Sequence, residues 1–318
     1  MFSNSRVLVT GGTGFIGTNL IKGLLEAGAN VRATFHRREP KVFLGQVDYI
    51  RANLKLEEDC QRVVRGVDYV FMCSAYSSGA VEISETPLVH VTPNVVMTAF
   101  MLEAAHKAGV KKFLWISSCT IYPEASHPLK ESEGLIEPLF EKYFCVGEMK
   151  RFGEKLCQMY AEKIRNRMPV IVIRPTSVYG PHEKFDWRSS HVVPALIRKV
   201  VERHDPIEVW GDGTAIKDLI FVDDLVGGML LAMERINTFM PLNMGSGEQT
   251  SIREIIETIV RVDNYNNARI VFDPSKPTML PKMLIDISEA KKVLHFKTTT
   301  SIEDGVRKTV KWYRQNRI

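Results

Sequence analysis

Short apolar runs alternate along this chain with longer stretches of helical period. "RVLVT" (6–10), "VRATF" (31–35), "VDYIRANL" (47–54), "VDYVFMCSA" (67–75), "KKFLWISS" (111–118) and "MPVIVIRP" (168–175) read as six strands. Between them, "TNLIKGLLEAG" and "NVVMTAFMLEAAHKAG" (94–109) carry apolar residues at helical spacing. Strands that alternate with helices predict a parallel sheet with helices on both faces. The expected fold is therefore α/β, a doubly wound parallel sheet of Rossmann type, with a smaller C-terminal substrate-binding lobe. "DLIFVDDLVGGMLLAMERI" (218–236) is expected to return to the first domain.

The first strand runs into "GGTGFIG", and a helical pattern follows at once. Strand, glycine turn and helix form the context in which a glycine motif binds a dinucleotide. Gly11 permits the tight turn, Gly14 lets the backbone approach a pyrophosphate, and Gly17 lets helix and strand pack closely. Free N–H groups at the helix N-terminus favour phosphate. Thr13, Phe15 and Ile16 complete this candidate contact set, with Asn53 and Leu54 at the end of the third strand. NAD binders commonly carry an acid after strand two. Here Phe35 falls at that place, followed by Arg37 and Arg38. Two guanidiniums can hold a 2′-phosphate, so the expected cofactor is NADP, with NAD as the alternative.

Composition narrows the picture without changing it. The chain has 318 residues, 45% hydrophobic and 25% charged, as in ordinary globular proteins. The formal charge of +5 is spread over "FHRREPK", "VKKF" and "EKIRNR", which predicts solvated faces and no nucleic-acid partner. No apolar run approaches the roughly 20 residues of a membrane span, so no membrane partner is expected. "MFSNSRVLVTGG" reads directly into a strand, without a leader peptide. Five cysteines, without metal-ligand spacing, predict free thiols, no metal site and a cytoplasmic setting.

"TGGTGFIG", "ISSCTIYP", the helix around Lys150, "RPTSVYGP" (174–181) and "GDGTAIKDLIFVDDL" (211–225) resemble the extended short-chain dehydrogenase/reductase superfamily over nearly the whole chain. "VYGPHEKFD" (178–186), "SSHVVPALIRK" (189–199), "VWGDGT" (209–214) and "VFDPSKP" (271–277) are most similar to its GDP-L-fucose synthase branch, the GDP-4-keto-6-deoxymannose epimerase-reductases. This resemblance implies a dinucleotide-binding domain of residues 1–173 plus 218–245. It implies a sugar-nucleotide-binding domain of residues 174–217 plus 246–318. It also implies a homodimer built through two helices per subunit, over 94–109 and 147–165.

Site roles follow from the same resemblance. Ser118 matches the serine that bonds the reacting sugar oxygen. Lys150 matches the lysine that holds the nicotinamide ribose, and His191 a histidine that acts as an acid in epimerisation. Thr120 joins Ser118 in orienting the sugar. Trp210 and Lys217 are expected at the substrate, with Lys217 near the diphosphate, and Asn94 matches a structural asparagine. Two positions depart from the pattern: Val146 stands for the tyrosine four residues before the lysine, and Thr120 for the epimerisation cysteine. Cys119 is adjacent, and on a strand end it would face the other way. With Cys119-Thr120 there is no carboxylate pair of the kind that serves 4,6-dehydration.

Tyr143 is a candidate replacement acid, but helical rise would set its Cα about 10.5 Å from that of Lys150, against about 6 Å for a spacing of four. A loop or first-turn tyrosine is the competing reading. The expected function is an NAD(P)-dependent epimerase/reductase with an atypical site, acting on a nucleotide-linked sugar, GDP-linked by the resemblance, through hydride transfer at a sugar carbon with or without epimerisation. The alternative is a catalytically silent NAD(P)-binding scaffold or sensor, and Val146 is its main support.

Overall fold

A computed structural model describes residues 1–43, 45–77, 85–187, 189–276 and 278–316. Pro277, the last residue of "VFDPSKP", lies outside the described residues. Seven parallel strands make the main sheet: β1 (Arg6–Thr10), β2 (Asn30–Phe35), β3 (Asp48–Arg51), β4 (Tyr69–Met72), β5 (Lys112–Ile116), β6 (Val170–Pro175) and β11 (Met240–Met244). Their order is β11-β6-β5-β4-β1-β2-β3, and every pairing is parallel. The order reverses between β1 and β4, which places a binding crevice at their C-terminal ends.

Alternating side chains build the two faces of this sheet. Val7, Val9, Phe71, Leu114, Ile171 and Ile173 join one core. It is covered by helices α1 (Phe15–Glu26), α6 (Val222–Arg235) and α8 (Ser288–Leu294). Leu8, Val70, Met72, Phe113, Val170 and Val172 join the other, under α2 (Glu57–Val63), α3 (Val91–Lys107) and α4 (Phe144–Gln158). The return of 218–236 to the core is thus seen in α6. Ala290, Leu294 and Phe296, from a stretch assigned by sequence to the lobe, also pack on the sheet.

A third core lies beside the sheet. It holds α5 (Val192–Val201), α7 (Ile252–Val262), α9 (Ile302–Asn316) and the strands β7 (Ser177–Tyr179), β8 (Ile207–Trp210), β10 (Leu219–Phe221) and β13 (Ile270–Asp273). β9 (Ile216–Lys217), β12 (Thr250–Ser251) and β14 (Lys282–Met283) form a further small sheet.

Three expectations change. β5 stops at Ile116: the Ser117 N–H still bonds the Ile173 carbonyl of β6 at 2.7 Å, and Cys119–Ile121 then wind into a 3₁₀ turn. The helix expected to continue to residue 165 ends at Gln158 in a π turn, Met159–Lys163. The helical stretch Leu88–Lys107 is 20 residues long and apolar enough to cross a membrane, contrary to the reading of the sequence. It packs Met101, Leu102, Ala104 and Ala105 against the sheet, as a core helix does.

Beneath the crevice lies a buried ion pair. Arg174 on β6 donates to both carboxylate oxygens of Glu154 on α4, at 2.9 and 2.6 Å. It also donates to the Tyr122 hydroxyl at 2.8 Å and the Glu131 carbonyl at 2.7 Å. The two side chains are 4% and 6% exposed. Glu154→Ala strands a buried guanidinium and should cost about 3–5 kcal/mol in urea denaturation. A loss under about 1 kcal/mol would show that the pair does not hold these elements together.

Candidate active site

The crevice is one cleft of about 1500 Å³ between sheet and lobe. At one end β1 turns at Gly11, which has φ +67, a backbone conformation that suits glycine. A β-carbon at residue 17 would stand 2.2 Å from the Gly11 carbonyl oxygen, so only glycine fits where α1 crosses the turn. Gly14 caps α1 without a side-chain bond, and the first turn has no acid. Its N–H groups and dipole are therefore open to an anion. Thr13, Phe15, Ile16, Asn53 and Leu54 line the same end. Arg37 and Arg38 are exposed there beyond Phe35.

Midway along, the chemistry-bearing side chains meet. Ser118 Oγ accepts bonds from the Thr120 N–H at 3.1 Å and the Thr120 hydroxyl at 3.0 Å. Lys150 Nζ donates to the Ile116 carbonyl at 2.8 Å and sits 4.7 Å from the Trp115 ring centre. Burial brings the Lys150 pKa down from 10.5 to about 8, against upward pulls from Glu154 and Cys157. Val146, one helical turn earlier, lines the cleft beside Met149 and Lys150.

Tyr143 also lines the cleft, at the N-cap of α4. Burial and then the Cys119 thiol raise its pKa, so the phenol is a weak acid. The groups that raise the Lys150 pKa against burial are Glu154 and Cys157, and the one beside burial that raises that of Tyr143 is Cys119. Cys119 corrects the strand-end argument. The 3₁₀ turn places it on the cleft wall with Ser118 and Thr120, because face alternation ends with the strand. Burial pushes its thiol up to about 11, with Asp218 adding and Lys217 and Ser118 opposing, so it is a poor nucleophile.

On the lobe side, His191 is the N-cap of α5 yet makes no cap bond with its side chain. Its Nδ1 instead meets Glu183 Oε1 at 2.9 Å, so the local-cap reading does not hold. Lys217 lines the cleft and donates to the Leu280 carbonyl at 2.8 Å; burial lowers its pKa. Trp210 lines it too, held by a 3.0 Å bond from its Nε1 to Glu208. Asn94 ties Tyr76 to His90 by accepting from the Tyr76 N–H and donating to the carbonyls of both.

Every residue singled out as catalytic, cofactor-binding or substrate-binding thus lines one cleft. The sequence reading did not single out Glu183, Glu154, Arg174 or Asp218. Asp218, next to Lys217, is buried and accepts from the N–H groups of Ser246 and Gly247. A charged residue inside an apolar strand, as in "VIVIRP", is the signal that could have found Arg174.

The sequence profile of the NAD dependent epimerase/dehydratase family matches residues 7–245. The chain is 30% identical to a GDP-L-fucose synthase of Escherichia coli (strain K12), over 99% of this chain and 98% of that protein. It is 28% identical to a dTDP-4-dehydro-6-deoxy-D-allose reductase of a Streptomyces species, over 98% and 97%. Among solved structures, a Thermotoga maritima UDP-glucose 4-epimerase with UDP-glucose matches with a TM-score of 0.87 and 26% identity, covering 98% and 99%. A Bacillus cereus UDP-glucuronic acid 4-epimerase with UDP-glucuronic acid and NAD matches at 0.84 and 28%, over the same shares.

Lys150 binds its proton less readily folded than unfolded. Between about pH 8 and pH 10.5 the unfolded chain holds more protons at this site, so folded stability rises with pH across that window. Lys150→Met lacks this titration. The stability of wild type relative to Lys150→Met, from urea curves, should therefore grow from below pH 8 to pH 10.5. A difference that stays constant would mean that the lysine is not desolvated.

Proposed function

The chain belongs to the NAD dependent epimerase/dehydratase family, and within it we propose an NAD(P)-dependent enzyme that transfers a hydride at a carbon of a GDP-linked sugar, with or without epimerisation. One observation carries this reading: the glycine turn, Ser118, Lys150 and His191 line a single cleft. The glycine turn fits a dinucleotide, since its close approach to α1 leaves backbone N–H groups where side chains would block a pyrophosphate. Bound there, the cofactor supplies or accepts the hydride.

The rest is the work of this chain's side chains. Lys150 holds a ribose hydroxyl. Thr120 fixes the Ser118 hydroxyl, which orients the reacting sugar oxygen. Position 146 offers no phenol, so proton transfer passes to His191, whose ring reaches into the cleft with 56% of its side chain exposed. Trp210 offers an indole face to the base and Lys217 a cation to the diphosphate. The GDP-L-fucose synthase relative favours a guanine nucleotide. A homodimer through α3 and α4 is part of the proposal: Phe144 and Phe152 on α4 are 55% and 47% exposed.

The second reading is a silent NAD(P)-binding protein, favoured by Val146 in the cleft. Nicotinamide absorbance separates the two. A panel of GDP-, UDP-, dTDP- and CDP-linked sugars should give the largest change with a GDP-linked member. His191→Asn should lower that turnover about 10²–10⁴-fold while leaving cofactor affinity intact. Tyr143→Phe should keep most activity. No turnover with any member puts the silent reading first, and loss of activity in Tyr143→Phe alone makes Tyr143 the acid.

Arg37 and Arg38 make no hydrogen bond or ion pair among the described residues, and both face the cofactor end. Replacing both with alanine should weaken NADP binding at least tenfold and leave NAD binding nearly unchanged. A wild type that binds NAD ten times more tightly than NADP would end the NADP assignment.

A further inference from the structure

The loop between β7 and α5 contains a buried carboxylate that the proposed chemistry has not used. Glu183 is 6% exposed, and its Oε2 has no hydrogen-bond partner of standard geometry among the described residues. The loop is shaped to put it there. Gly180 has φ +151, and a β-carbon at that residue would meet Val222 at 2.5 Å. His182 has φ +69, in the left-handed region, and its ring packs 4.9 Å from that of Trp312. A non-glycine residue held in that region signals a surrounding structure that enforces the turn. The turn aims Glu183 inward, where its Oε1 meets His191 Nδ1 at 2.9 Å.

We propose that Glu183 is a positioning residue for His191, holding the imidazole by its Nδ1–H so that Nε2 is the nitrogen that exchanges a proton with the substrate. A carboxylate only accepts hydrogen bonds, so the proton of this contact belongs to Nδ1. Nε2 makes no hydrogen bond among the described residues. An enclosed carboxylate with one oxygen outside standard hydrogen-bond geometry is costly unless a cation answers it. Imidazolium is that cation. Among the described residues the charged groups facing the ring are Glu183 and Lys184, and Asp186 in the same loop accepts from the Ser189 N–H and hydroxyl.

Enclosure by the cleft walls lowers the His191 pKa and the bond and charge of Glu183 raise it, to a net increase over 6.5. When Nε2–H gives its proton to a sugar atom, the N–H bond breaks and the ring becomes neutral. Nδ1–H stays with Glu183, and solvent returns a proton to Nε2. Burial in turn raises the Glu183 pKa, with His191, Gly180 and Lys184 opposing.

This inference rests on the role given to His191, but its test does not require turnover. The imidazole signal of His191, identified by its loss in His191→Asn, is titrated by NMR in the full-length chain. Glu183→Gln keeps an acceptor and removes the charge, and the proton affinity of His191 should fall about tenfold. Glu183→Asp should recover part of it. If Glu183→Gln fails to fold in urea curves, Glu183→Asp carries the test, with a fall of about two- to threefold expected. Equal His191 titrations in wild type and the folded variant overturn the pairing. A shifted titration in a protein that turns over no sugar nucleotide upholds the pairing and overturns the proposed function.

Discussion

The pairing of Arg174 with Glu154 is the interaction on which the geometry of the cleft depends. It joins α4 to β6 across the C-terminal edge of the sheet, and Ser117 adds its hydroxyl to the same carboxylate at 2.5 Å. The second arm of Arg174 reaches Tyr122, which donates to Asn243 on β11 at 2.6 Å. Asn243 in turn donates to the carbonyls of Leu129 and Asp286. One buried network thus fixes the end of β5, the turn bearing Ser118, the helix bearing Lys150 and the late segment that backs them. Buried polar networks of this kind specify a single arrangement when every member is satisfied.

Two ends of the cleft are built on different physics. The cofactor end is backbone: a glycine turn, an uncapped helix and a close crossing that excludes any side chain at Gly17. The lobe end is side chains held by other side chains: Trp210 by Glu208 and His191 by Glu183. Ser118 and Lys150 lie between, both anchored to main chain at the end of β5, through the Thr120 N–H and the Ile116 carbonyl. A rigid centre with a backbone cradle on one side and adjustable side chains on the other suits a shared redox step with a variable substrate.

Much of this was legible in the sequence because it is periodic or local. Strand alternation, the glycine turn and the i, i+4 relation of Val146 to Lys150 are short-range patterns. What was not legible is long-range. Glu154 and Arg174 are twenty residues apart and read singly as ordinary charges; only the fold shows them as one pair. Cys119 was placed on the wrong face because the alternation rule was carried past Ile116, where the strand stops. The stretch over 88–107 held no apolar run of span length because polar residues interrupt it, yet two of these, Asn94 and Thr98, are buried.

The cost of Lys150 bears on whether the cleft is silent. Bringing its pKa from 10.5 to about 8 corresponds to roughly 3 kcal/mol of disfavoured charge at neutral pH. Among the described residues its bonded partner is a single carbonyl, and Glu154, the carboxylate acting on it, is already engaged by Arg174 and Ser117. A methionine or leucine would fill the space against Trp115 without that penalty. A protein that only had to fold and hold its shape would be more stable without an ammonium there. A protein that must present a cation to a bound cofactor has a physical reason to keep it, even where position 146 has no phenol.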